Sequence, residues 1–120
     1  MKVHNYRELK IWQKSRSLVK TVYQLTLDFP KEESYGLVSQ IKRASVSIAA
    51  NIAEGAGRGT NKDFIHFLNI ARGSLFELET LLILSDDLKF LTEEKLKTVL
   101  DSINEILRMI VTFQDMLNNN

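Results

Sequence analysis

Apolar residues return every three or four positions along most of this chain, the period of amphipathic helices rather than strands. Ile11, Leu18, Val22, Leu25 and Phe29 form one such stripe. Trp12, Val19 and Tyr23 form a second beside it, where they read as packing residues rather than as a stacking platform. Lys10, Gln13, Arg16, Ser17, Lys20 and Gln24 fall on the opposite side, which should be wet. Further along, Leu37, Ile41, Ala44, Ile48 and Ile52 make a stripe. Phe64, Leu68, Ala71, Leu75, Leu78 and Leu82 then follow at alternating spacings, a heptad seam. Leu96, Leu100, Ile103, Leu107 and Ile110 supply the last stripe. No run alternates apolar and polar residues as a half-buried strand would.

Local signals divide these stripes into helices. Asn5 reads as a cap with Glu8 three residues on, and Pro30, the single proline, stops the first helix. The second starts near Ser34 and ends at Gly55, Gly57 and Gly59, since glycine readily takes the left-handed conformation of a helix end. Thr60 with Asp63 resembles a capping box, Asp86, Asp87 and Lys89 mark a turn, and Thr92 caps a helix with Glu93 and Glu94 near its positive end. The expected helices are 6–28, 35–57, 61–87 and 93–117, with Asn118 to Asn120 frayed. Short connections make consecutive helices antiparallel neighbours, so residues 1–120 should form one all-α domain, an up-down-up-down four-helix bundle.

The second helix lacks an ordinary solvated back. Between 35 and 58 the only charges are Lys42, Arg43, Glu54 and Arg58. Gln40, Arg43, Ser47, Asn51, Glu54 and Arg58 form a polar stripe beside the apolar one, and most of the rest is small or apolar: Val38, Val46, Ala49, Ala50, Ala53. Such a helix is expected to pack against its own chain on one side and another chain elsewhere.

Charge adds asymmetry. The formal net charge is +1, yet residues 1–62 hold 11 Lys and Arg against 5 acids, and residues 63–120 hold 5 against 10. The absence of cysteine excludes disulfides and thiolate chemistry. The opening MKVHNYRELKIWQ has no apolar leader, and no apolar stretch reaches membrane-spanning length, so a soluble cytoplasmic protein is expected.

Catalytic arrangements are missing. Gly55-Ala56-Gly57-Arg58-Gly59 resembles a phosphate loop, but a helix precedes it where a strand is needed, and it reads as a helix terminus. A bundle metal pair needs two Glu-x-x-His motifs, and the nearest approach is Asp63 with His66, once. The arginine-then-histidine spacing of bundle ribonucleases is absent at both His4 and His66. Glu54, expected half-buried beside Arg43, Asn51 and Arg58, reads as a structural ion pair. The inventory implies no enzyme, no cofactor and no metal.

Gln40 to Arg58, QIKRASVSIAANIAEGAGR, resembles the signature of the four-helix bundle proteins named for 23S rRNA intervening sequences. Phe67 to Thr80, FLNIARGSLFELET, is similar to that family's second signature, and Tyr6 to Lys14 with Phe29-Pro30 fit its opening. The likeness covers nearly the whole chain. It implies a homopentamer, five bundles in a tapered barrel around a central channel. One branch of the family serves reverse transcriptases of diversity-generating retroelements as accessory proteins, binding nucleic acid and the transcriptase through basic surfaces.

In such a pentamer the second and third helices are the expected interface. Arg43, Ala49, Asn51, Ala53, Glu54, Gly57 and Arg58 would contribute from one, and Asn69, Arg72, Gly73, Phe76 and Glu79 from the other, with Thr80 on the same outer side. Arg72 and Glu79 would pair with Arg58 or Glu54 of a neighbour. RNA or DNA would meet Lys10, Lys14, Arg16 and Lys20, with Lys42, Arg43 and Arg58 as further contacts, through phosphates and with little sequence preference. The competing expectation is a scaffold that recruits a partner protein and touches no nucleic acid.

Overall fold

The computed structural model describes residues 4–120, so Met1, Lys2 and Val3 of the opening stretch lie outside the described residues. Asn5 does cap a turn, its Oδ1 accepting from Arg7 N at 3.3 Å, but the turn is a single 3-10 segment, Tyr6–Glu8. Leu9 then takes an extended conformation, and the first α-helix, α1, spans Lys10–Thr26, shorter at both ends than its stripe predicts. After Pro30 the chain makes another 3-10 turn, Lys31–Glu33, before α2, Leu37–Ala56. Ser34 does not cap α2. Glu33 Oε1 instead accepts from Leu37 N at 3.4 Å. Helix α3 spans Asn61–Asp87 and α4 Glu93–Asn118, with Thr60 and Thr92 hydroxyls accepting from Asp63 N and Lys95 N at 3.1 and 3.2 Å. Among the described residues there is no strand, and no helix is long and apolar enough to cross a membrane.

Each helix packs on the next, α1 also packs on α4, and the backbones of the diagonal pairs α1–α3 and α2–α4 do not approach one another closely. The result is a four-helix bundle of 48 × 23 × 20 Å, its long axis little more than one helix in length. Starts lie beside ends. Asn61 Nδ2 donates to Leu117 O at 3.1 Å, His4 N to Ala56 O at 3.1 Å, and Lys95 Nζ lies 3.8 Å from Asp28. Ile41, Ile48 and Ile52 of α2 and Leu68, Leu75, Leu78 and Leu82 of α3 are fully buried in one apolar cluster. On α4 the core line differs from the predicted stripe: Val99, Ile103, Ile106, Ile110 and Leu117 are buried, while Leu96, Leu100 and Leu107 flank them half-buried. Contact with both α1 and α3 widens the apolar arc of α4, and the flanking leucines are its edges.

The glycines divide their work differently from the prediction. Gly59, at φ 92°, takes the left-handed conformation, but Gly57 does not, at φ −88°. Gly55 is buried inside α2, where an added Cβ would lie 2.8 Å from Phe67 Cβ and 3.0 Å from Phe64 Cδ1. It lets α2 and α3 approach closely. A second device fixes α3 against α4. Gln114, only 6% exposed, donates through Nε2 to Ile65 O at 3.2 Å and Asn69 Oδ1 at 2.8 Å, and accepts from Arg72 Nη1 at 3.1 Å.

Gly55→Ala should overpack this crossing and lower unfolding free energy by about 1–3 kcal/mol in urea titration, whereas Gly57→Ala should be within about 0.5 kcal/mol of the parent. Gln114→Leu should cost about 1–3 kcal/mol by the same measurement, since it removes the hydrogen-bond partner of Ile65 O, Asn69 Oδ1 and Arg72 Nη1 together.

Candidate functional site

The wet face of α1 is as the sequence arranges it: Lys10, Gln13, Arg16, Ser17, Lys20 and Gln24 are all exposed. Lys14, one step round the helix, is held by Glu105 of α4 at 3.0 Å. Lys10, Arg16 and Lys20 have no carboxylate within 4.0 Å among the described residues, so their charge is uncompensated at close range. Arg16 lies 5.5 Å above the Trp12 ring, and Gln13 Nε2 donates to Arg7 O at 2.8 Å, which steadies the edge of this face.

The other three predicted cations are elsewhere. Lys42 is half-buried with its ammonium 4.7 Å over the Tyr23 ring, so it faces α1. Ala49 and Ala53 share that side of α2 and are half-buried, by the helical repeat. Arg43 instead lines a cleft with Tyr35, Gln40, Ser47 and Glu77. Arg58 stacks 4.8 Å over Phe67 and lies 3.9 Å from Glu54. The seven cations therefore do not form one patch: four belong to α1, and Lys42, Arg43 and Arg58 stand apart from one another in three different surroundings.

The polar stripe of α2 is used partly within the chain. Ser47 and Ser74 hydroxyls meet at 2.9 Å, and Asn51 Nδ2 donates to Ser47 O and Oγ at 2.8 and 3.0 Å. Glu54 is exposed rather than half-buried, with Arg58 its single ion-pair partner among the described residues. Gly57 is exposed as well.

On α3 the predicted interface residues separate. Asn69 and Arg72 turn to Gln114 of their own chain, and Glu79, two turns beyond Arg72, is half-buried on the same side. Gly73, Phe76 and Thr80 face outward, and a Cβ on Gly73 would meet nothing within 4 Å. Phe76 is 52% exposed. Ile70, Ile83 and Leu84 on α3, Val46 on α2 and Val111 on α4 are exposed too. Apart from Val46, sequence reasoning passed over these; the signal was there, because α3 carries more large apolar residues than its heptad seam needs.

Two grooves complete the surface. Arg72, Phe76, Leu107, Arg108, Val111 and Thr112 line one of about 380 Å³ between α3 and α4. Arg72 Nε, covered by protein, has no hydrogen-bond partner there. Leu9, Ile11, Met109, Phe113 and Met116 line a larger apolar one of about 530 Å³ between α1 and α4, rimmed by Lys10, Glu105 and Arg108. His4 packs edge-on against Phe64 at 5.1 Å, and His66 is exposed beside Phe67 at 5.4 Å. Because α1 and α3 are diagonal, the basic face and the apolar outer face of α3 stand at opposite corners of the bundle.

No curated protein matches the chain. Among solved structures it is similar to a protein of unknown function from the S23 ribosomal protein family of Bacteroides thetaiotaomicron, with 25% identity and a TM-score of 0.78. That likeness covers 87% of this chain and 97% of the other. The family model described as 23S rRNA-intervening sequence protein matches residues 7–112. With the fold and nearly the full length in agreement, the chain belongs to the 23S rRNA-intervening sequence protein family.

Proposed function

We propose that this protein is a non-enzymatic, cytoplasmic scaffold that assembles with copies of itself through the outer surfaces of α2 and α3 and holds RNA or DNA on the basic face of α1. The observation that carries the reading is the exposed apolar strip of Ile70, Phe76, Ile83 and Leu84 on one side of α3. Four large apolar residues exposed on one helix are more than a solvated face needs, and apolar surface gathered in this way marks an interaction site. The start-to-end contacts between neighbouring helices support an antiparallel up-down-up-down protomer, and family resemblance supplies the number five for the ring. Because the basic corner is diagonal to the apolar one, assembly through α3 leaves Lys10, Arg16 and Lys20 free to meet phosphates. Repeated around a ring, a patch of this size contacts many of them, without reading bases.

A second reading, a protein scaffold without nucleic-acid contact, is favoured by one feature. The end of the bundle where α1 gives way to α2 exposes Leu27 at 80% and Tyr35 at 100%, beside the α3–α4 turn with Leu88 at 57%. A partner protein, a reverse transcriptase for example, would dock there through apolar contacts.

Light scattering of the purified protein should return a multiple of 13.8 kDa, the homopentamer on family resemblance, and Val46→Glu/Phe76→Glu should reduce it to one chain with helix content unchanged. A parent mass of one chain would reject self-assembly. Labelled structured RNA and duplex DNA should bind at low salt and weaken by about 10³-fold or more between 50 and 200 mM salt. Lys10→Glu/Arg16→Glu/Lys20→Glu should abolish that binding while leaving the assembled mass intact. Failure to bind at low salt would leave the protein-scaffold reading.

A further inference from the structure

Trp12 stands where α1 meets the 3-10 turn that precedes it. It is half-buried, packs against the core, and also lines an open cleft of about 670 Å³ with Tyr6, Arg7, Gln13 and Arg16, ample for a nucleobase. The Tyr6 ring meets it edge-on at 5.1 Å, and the bond from Gln13 to Arg7 O holds the turn against the helix. A second cleft shares Gln13 and Arg16 and continues along α1 to Ser17 and Lys20. Three turns beyond Trp12, on the same side of α1, Tyr23 is 42% exposed with the Lys42 ammonium 4.7 Å over its ring. The spacing of Trp12, Val19 and Tyr23 predicts packing alone, yet part of each outer ring stays at the surface.

Arg7, Arg16 and Lys20 have no carboxylate within 4.0 Å among the described residues. Cations by themselves suit any polyanion, but aromatic rings at both ends of the row select further. In a duplex each base is stacked between its neighbours and offers no free face. A single strand offers its bases to rings and its phosphates to cations at the same time. Arg16, 5.5 Å above Trp12, extends the stacking surface, since a base stacks on a guanidinium plane as on an aromatic ring. We infer that single-stranded nucleic acid lies along this side of α1, with bases stacked at Trp12 and Tyr23 and phosphates on Arg7, Arg16 and Lys20. The distance from Trp12 to Tyr23 along the helix is roughly 16 Å. At about 3.4 Å per nucleotide that is room for about five. The site rests on the nucleic-acid binding proposed above and selects the single-stranded form within it.

Trp12 is the single tryptophan of the chain, so its fluorescence reports on the site in the full-length protein. Oligo(U) and oligo(dT) of about 20 nucleotides, long enough to cover the site several times, are compared at low salt with RNA and DNA duplexes of the same length. The single strands should bind about tenfold or more tightly than the duplexes and quench the tryptophan emission, which the duplexes should leave unchanged. Quenching by either strand supports the site, and quenching by oligo(U) alone adds a contact to the 2′-hydroxyl. Tyr23→Leu keeps apolar bulk at an exposed position. It should weaken single strands about tenfold while leaving helix content, duplex affinity and the salt dependence of binding as in the parent. Trp12→Leu should weaken them likewise, and if it fails to fold, Tyr23→Leu carries the test. No binding of any of the four nucleic acids overturns both this site and the nucleic-acid reading it rests on. Binding that favours neither form and leaves the fluorescence unchanged, or an equal loss for both forms in Tyr23→Leu, overturns the site alone.

Discussion

The close crossing of α2 and α3 at Gly55 sets the arrangement of the rest of the bundle. With no Cβ at that position, the backbone of α2 comes within reach of Phe64 and Phe67, and the two helices make the most extensive contact in the molecule. Ser47 and Ser74 can then meet across the seam, and the polar stripe of α2 finds partners without giving up its place at the surface. Such tight pairing also has a consequence for the outer side of α3. The helix is 27 residues long and apolar on more than one side, so packing its seam on α2 and α4 leaves Ile70, Phe76, Ile83 and Leu84 turned outward. The surplus is not absorbed within the chain.

Polar groups set orientation where apolar packing is permissive. Gln114 is buried between α3 and α4 and bonded to three groups of α3, so sliding one helix along the other would strand its amide. Arg72 is drawn into the same network through Nη1, while its Nε is covered by protein without a hydrogen-bond partner. The basic face of α1 is different in kind: its cations sit on water with no acid close by, except for Lys14, which Glu105 neutralises. One corner of the bundle is therefore apolar and the opposite corner cationic, so the proposed assembly and the proposed phosphate binding would use separate surfaces.

Much of this was legible in the sequence. The four-residue and three-residue spacings of Phe64 to Leu82 are the buried line of α3, and Thr60 and Thr92 sit at helix starts with the predicted acceptor role. The wet face of α1 followed from its charges. Other features were hidden for physical reasons. Glycine reads alike whether it ends a helix or admits a neighbouring one, and only the distance to Phe67 separates Gly55 from Gly59. Asn5 caps a 3-10 turn as well as an α-helix, so α1 begins four residues later than its capping signal predicts. Arg72 and Asn69 were expected at an interface, and periodicity cannot tell that a buried glutamine on α4 of the same chain also engages them. Glu54 was expected half-buried among cations, and its exposure reflects the side of α2 that no helix of the same chain covers.

Self-assembly requires that the outer face of α3 be covered by another copy in solution. The chain has no cysteine, so single introduced thiols report accessibility without background. Thr80→Cys places one on the outer face of α3 and Ser17→Cys one on the wet face of α1, both exposed in the isolated bundle. The direct measurement is the rate at which each reacts with a thiol reagent in concentrated and in dilute protein. With the α3 face covered, Thr80→Cys is protected at high concentration and becomes reactive on dilution, while Ser17→Cys reacts fast throughout. Equal, concentration-independent rates at the two positions would mean that no second copy covers α3.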